Sequence, residues 1–311
     1  MKRFVKTIII SIGFLFLING VLDVYVSNSL QHSKSPLYKT WNEITNSKIN
    51  ADLLIMGNSR ASWQYNPHIL DSILHANSYV LGFDGSPFGR QIVKYNIYCH
   101  FQTIKPKYII INVDYMDNFM ASKGIEREQM FPYLTNSFIR QQFLSVDSFS
   151  FAEKYIPVFR YTTQKGVFAL LNRDGKYVDN NIVKGYFPHN YQWNPALFNA
   201  ISIWHFKVDS EVVLMFDKFL SERKTENIKI IFCYAPIYIG LTKKVDNLEE
   251  MYSTYESIAG KYNIPILDYT YSSISQDTMC FIDATHLSGY GSDLFTVKLA
   301  HDLDSLGVFF E

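Results

Sequence analysis

Three stretches of this chain carry residue types that together can make and break an ester bond. Ser59 stands in LLIMGNSRA, where an apolar run stops at a glycine. Gly82 and Gly85 stand in VLGFDGSPFGR, and Asp283 and His286 stand in FIDATHLSGYG. A serine hydroxyl is a weak nucleophile until a base removes its proton, and His286 can be that base. An imidazole needs its other nitrogen tied down so that the right tautomer faces the serine, which Asp283 can do from three residues away. Acyl transfer also builds an oxyanion that wants preorganised donors. The N–H of Gly85, where no side chain blocks approach, and that of Ser59 at a helix start are the candidates. Each signal has a plainer reading as well. Ser59 can be a helix cap, and D-x-x-H also occurs as a structural pair.

Such residues need a scaffold that brings them to one place. Short apolar runs at 52–56, 79–81, 108–113, 228–234 and 264–267 read as strands. They alternate with helical patterns at 66–76, 88–104, 208–223, 247–262 and 291–306. That alternation predicts an α/β fold, a three-layer αβα sandwich around a central parallel sheet. Right-handed crossovers would put every strand's carboxyl end on one edge, where the three stretches above also end. Residues 118–205 break the rhythm. They are aromatic, punctuated by Pro, Gly and Asn, and read as an insertion after the third strand that lies over the site edge. Within it Tyr186, Tyr191 and Trp193 are candidates for stacking on sugar rings, with packing as the plainer alternative, and His189 and His205 flank it.

LLIMGNSRA, LGFDGSP and FIDATHLSGYGSDLFTVKLAHDL resemble the first, second and last blocks of the SGNH (GDSL-type) hydrolase superfamily. The likeness covers about residues 50–115 and 205–306 and leaves the insertion outside. It is strongest to the membrane-anchored, extracytoplasmic branch that includes the D-alanyl transfer protein of teichoic acid synthesis and the alginate O-acetylation proteins. The resemblance implies a flavodoxin-like layered fold and ester chemistry with no metal and no cofactor. It also implies Ser59 as nucleophile, His286 as base, Asp283 as its partner and Gly85 as an oxyanion donor. One block departs from the pattern. The third usually reads G-x-N-D, its Asn being a further oxyanion donor, whereas here IIINVDYMDNF puts Asp114 at the matching place, with Asn112 and Asn118 nearby. A carboxylate cannot donate unless protonated. Either Asn118 supplies the third donor, or two backbone donors suffice, or activity is altered.

The amino terminus bears on the compartment. Lys2, Arg3 and Lys6 precede an almost wholly apolar stretch from Thr7 to Leu22, the pattern of a secretory signal or a signal anchor, with an ordinary buried helix as the plainer reading. No clear A-x-A cleavage site follows, so the expectation is an uncleaved anchor with its cationic end inside. The expected organisation is an anchor at 1–26, a polar spacer at 27–50 and an SGNH-like domain at 51–311. Basic and acidic residues balance at 29 each, which gives no footprint for nucleic acid. Three cysteines without metal-ligand spacing argue against a metal centre and a disulfide framework. The expected function is a serine-dependent esterase or acyltransferase on O-acyl, chiefly O-acetyl, groups of an envelope or secreted polysaccharide. Its expected partners are the acylated carbohydrate, the membrane through the first helix and a membrane O-acyltransferase. The alternative is a non-catalytic envelope protein that keeps the fold for glycan binding or assembly.

Overall fold

The computed structural model describes residues 1–46, 48–114, 119, 127–162 and 182–307. Two helices come first, α1 (Lys2–Gln31) and α2 (Pro36–Asn46), followed by β1 (Leu53–Gly57), α3 (Ser59–Gln64), α4 (Pro67–Leu74) and β2 (Ser78–Gly82). The chain continues through α5 (Phe88–Phe101), β3 (Tyr108–Asn112), α6 (Ser137–Val146), α7 (Phe151–Tyr155) and α8 (Pro195–Asn199). It ends with α9 (Ser210–Thr225), β4 (Lys229–Tyr234), α10 (Ile239–Thr242), α11 (Leu248–Tyr262), β5 (Ile266–Asp268), α12 (Ser273–Gln276) and α13 (Gly289–Ser305). Two compact units result, one formed by Met1–Ser47 with Glu126–Asn180 and the other by Lys48–Ile125 with Asn181–Glu311.

The larger unit is the layered α/β body. Its five strands are all parallel in the order β2-β1-β3-β4-β5. The first three strands are buried along their whole length, which explains why they read as unbroken apolar runs. Alternate residues serve opposite faces. Leu53, Ile55, Val80, Ile110, Ile231 and Cys233 pack beneath Leu70 and Leu74 of α4 and Phe295, Leu299 and Leu303 of α13. On the other face Phe232 meets Phe216 of α9 and Tyr255 of α11, and Phe216 meets Phe88 of α5.

This strand order matters for the site. The chain leaves β1 toward β2 and then returns to the other side for β3, so the carboxyl ends of β1 and β3 flank a crevice. Ser59 and Asp114 follow those two ends. Gly82 makes the close packing possible, because a Cβ there would lie 2.4 Å from the Ser62 nitrogen and 2.9 Å from the Asn58 oxygen. The outer edge of β2 is covered by the turn between Val183 and Tyr186, where Val80 N–H donates to the Lys184 carbonyl at 2.9 Å.

The smaller unit gathers the carboxyl end of α1, α2, a 3-10 turn at Arg127–Tyr133, α6 and α7. Leu30, Trp41, Ile44, Phe131 and Phe143 are buried within it, and Trp41 Nε1 donates to Gln129 at 3.0 Å. Apolar α1 runs past residue 26 to Gln31, and together with α2 it makes helical most of the stretch that composition suggests as spacer. The helix is long and apolar enough to cross a membrane, with mean hydropathy 2.1 over 18 residues and none of that window buried.

Candidate active site

Local structure at Ser59 separates its hydroxyl from capping. The cap of α3 is Asn58, whose side-chain oxygen accepts from Arg60 N–H at 3.0 Å. Ser59 is therefore the first helical residue. Its N–H belongs to the first turn, where no helical carbonyl is available to accept it. Its Oγ lies 2.8 Å from His286 Nε2.

His286 is held by a tight loop between Phe281 and Leu287, which form an antiparallel bridge. Asp283 Oδ1 accepts from Thr285 N–H at 2.8 Å, Thr285 Oγ1 at 2.8 Å and His286 N–H at 2.9 Å, the pattern of an Asx turn. The same carboxylate faces His286 Nδ1 with its two oxygens at 3.0 and 2.9 Å. This is the physical content of the three-residue spacing: one carboxylate closes the turn and grips the ring that the turn presents. A carboxylate only accepts, so Nδ1 carries the proton and Nε2 is left to accept from Ser59. Burial works against charge on Asp283. The hydrogen bonds and charge of His286 and the donors of Thr285 outweigh it and hold the carboxyl at about 2.

Neighbouring residues fix the loop from outside. Gln64 Nε2 donates to the Thr285 carbonyl at 2.9 Å, and Tyr238 N–H donates to the Ala284 carbonyl at 3.0 Å. The Trp63 ring centroid lies 4.3 Å from that of His286 and 3.9 Å from that of His189, both rings tilted, so the indole touches both imidazoles. His189 is carried there by the end of the insertion, where Phe187 N–H donates to the Ser62 carbonyl and Gly289 N–H to the His189 carbonyl. Trp63, Thr285 and His189 carry no motif of their own; only the fold brings them to His286.

Asp114 is fully buried and points its charge at protein. Its Oδ2 pairs with Arg60 at 3.1 Å and accepts from Asn58 Nδ2 at 3.0 Å, while its backbone carbonyl accepts from Tyr255 Oη at 2.7 Å. The carboxylate at the third block is thus matched by a guanidinium and acts as an acceptor for the Ser59 turn, not as a donor. Asn112 accepts from Tyr65 Oη at 2.8 Å. Gly85 has φ +55, a conformation that side chains disfavour, in the loop joining β2 to α5. The buried Lys94 Nζ donates to the Gly82 carbonyl at 2.9 Å at the start of that loop. Asn118 lies outside the described residues.

The aromatic candidates of the insertion divide. Tyr186 is buried in the core and has no face for a sugar, so it takes the plainer alternative of packing. Tyr191 is exposed, and Trp193 packs on Tyr238. His205 pairs with Asp246 at 2.8 Å. Among the described residues no group of three or more His, Cys, Asp or Glu could hold a metal ion.

No protein-family model and no curated protein sequence matches the chain. Two solved structures from Bacteroides are similar to it. One is a "putative acylhydrolase" from Bacteroides fragilis, 12% identical, with TM-score 0.37 over 80% of this chain and 86% of that one. The other is a GDSL-like lipase from Bacteroides thetaiotaomicron, 11% identical, with TM-score 0.35 over 80% of this chain and 87% of that one.

Proposed function

We propose that this chain is a serine-dependent esterase or acyltransferase. The carrying observation is the Ser59 Oγ to His286 Nε2 contact of 2.8 Å, on a serine whose capping duty is done by Asn58. In this reading His286 Nε2 takes the hydroxyl proton as Ser59 Oγ attacks an ester carbonyl. Asp283 keeps the ring oriented and stabilises its charge. The oxyanion forms against the N–H groups of Ser59 and Gly85. His286 then gives its proton to the leaving alcohol, and the acyl group stays on Ser59. Water or a sugar hydroxyl takes it in the second half-reaction, so one constellation serves both activities.

The substrate in this reading is an O-acyl group, chiefly O-acetyl, on an envelope or secreted polysaccharide. Supporting it are α1, whose cationic start would stay in the cytoplasm and leave the α/β body outside, and the exposed Tyr191 beside His189. A membrane O-acyltransferase is the corresponding partner.

A fluorophosphonate probe on the full chain tests the chemistry. Labelling of Ser59 that is lost in Ser59→Ala is expected. Absence of labelling in folded protein would overturn the proposal and leave the non-catalytic binding reading.

A further inference from the structure

The membrane-proximal part of the smaller unit carries an apolar face that its own core does not use. Phe151 is 77% exposed, and Tyr155, Ile156 and Phe159 are exposed beside it. The rings of Phe151 and Tyr155 lie 4.8 Å apart, so α7 presents them together. These residues sit at a definite level along α1. Asp23 accepts from Val158 N–H at 2.8 Å and from Arg160 at 2.6 Å, and Ser27 bonds Tyr161 Oη at 2.7 Å. Gln31, about 12 Å farther along the helix axis, bonds the Pro132 carbonyl. A span of about 20 residues starting after Lys6 ends near residue 26. The segment 155–160 is therefore tied to the helix at the level where it leaves hydrocarbon.

A cavity of about 690 Å³ opens at the same level. Asp23 in its wall pairs with Arg160, and Glu153 shares Arg127 with Asp147, so the wall and its paired charges carry a small positive excess. Arg140 and Lys154, also in its wall, have no carboxylate partner among the described residues. Aromatic and branched side chains beside a positive excess are what the headgroup layer of an anionic bilayer accepts.

We propose that the face of Phe151, Tyr155, Ile156 and Phe159 rests in the interfacial layer of the membrane that α1 enters, with an anionic lipid headgroup against Arg140 and Lys154. The proposal rests on α1 being a membrane span. The anchor then does more than tether, because a second contact fixes the tilt of the unit on the bilayer.

The full chain is reconstituted in phosphatidylcholine vesicles with and without phosphatidylglycerol, using lipids brominated at shallow or deep positions. Phe151→Trp should add emission that shallow bromines quench more than deep ones. Quenching should rise with phosphatidylglycerol, and Arg140→Gln with Lys154→Gln should abolish that rise. Leu15→Trp, quenched by deep bromines, reports the span independently. A quenched Leu15→Trp with an unquenched Phe151→Trp overturns the proposal and leaves the span. Neither quenched overturns both. Quenching of Phe151→Trp that ignores lipid charge overturns the headgroup assignment.

Discussion

Asn58 and Asp114 are joined by a 3.0 Å hydrogen bond that ties the end of β1 to the end of β3 behind Ser59. The same asparagine caps α3 through its other side-chain atom. One side chain thus sets both where the helix begins and how the turn is braced.

Breaking that brace should be costly in stability. Asp114→Asn removes one partner of a buried ion pair and leaves Arg60 uncompensated, which typically costs about 3–5 kcal/mol. Asn58→Ala should cost about 0.5–2 kcal/mol for the cap alone, and more once Asp114 loses a donor. Chemical denaturation of the full chain in detergent measures both. If Asp114 occupied an oxyanion position, Asp114→Asn would instead raise turnover; a gain in activity would refute its structural role.

Ser59→Ala should behave in the opposite way. The cap is untouched, so melting should shift little, while turnover of an acetyl ester falls by several orders of magnitude. His286→Ala should lose nearly as much and the double variant little more, because the residues act as one unit. Turnover within tenfold of the parent in Ser59→Ala would return the serine to a plain helix residue.

Asp283 ties the site to pH. Its folded-state value of about 2 lies below the unfolded value of about 3.9. Its contribution to stability is therefore present above that unfolded value and lost as pH falls through about 2. Solvent screening of this half-exposed carboxylate keeps the effect small. Asp283→Asn should flatten the acid dependence of melting in that window. It should also reduce turnover by about 10³–10⁴-fold, since an amide that donates to Nδ1 leaves Nε2 protonated and unable to accept from Ser59. Melting curves across acid pH and ester kinetics at neutral pH separate the two effects.

Trp63 should act through His286. Trp63→Ala removes the ring that contacts both imidazoles and should lower kcat between about tenfold and 10²-fold through misplacement of the base. KM should move less, and Trp63→Phe should restore much of the loss. Equal losses in Ala and Phe variants would contradict a role in holding the ring.

How much of this was legible in the sequence follows from the range of each signal. The strands β1, β2 and β3 are buried on both faces, so their apolar runs stand out, and their ends fall within a residue of expectation. Asp283 and His286 lie three residues apart, within one turn, and the pattern that marks them is local. Arg60 could not be read as the partner of Asp114, 54 positions away, because nothing near either residue specifies the pairing. Nor could His189 be placed on Trp63. Tyr186 looked available because the aromatic segment lacks a period, and without a period no face can be assigned. The helix at residues 36–46 is not legible locally, because the partners of its side chains, such as Gln129 for Trp41, lie in the insertion.

The turn that lies along β2 has a consequence for solubility. An uncovered parallel edge offers a row of unpaired backbone groups on which another chain can template itself. Here the outer edge of β2 gives the Val80 N–H to Lys184, and the far edge, β5, is only three residues long. Gly185 makes the cover possible, since at φ +79 a Cβ would fall 1.9 Å from the Val80 oxygen. Gly185→Val should lift the turn and bare the edge. Its mark would be concentration-dependent, thioflavin-positive association of an otherwise folded protein, and a variant that stays monodisperse would show that β2 guards its own edge.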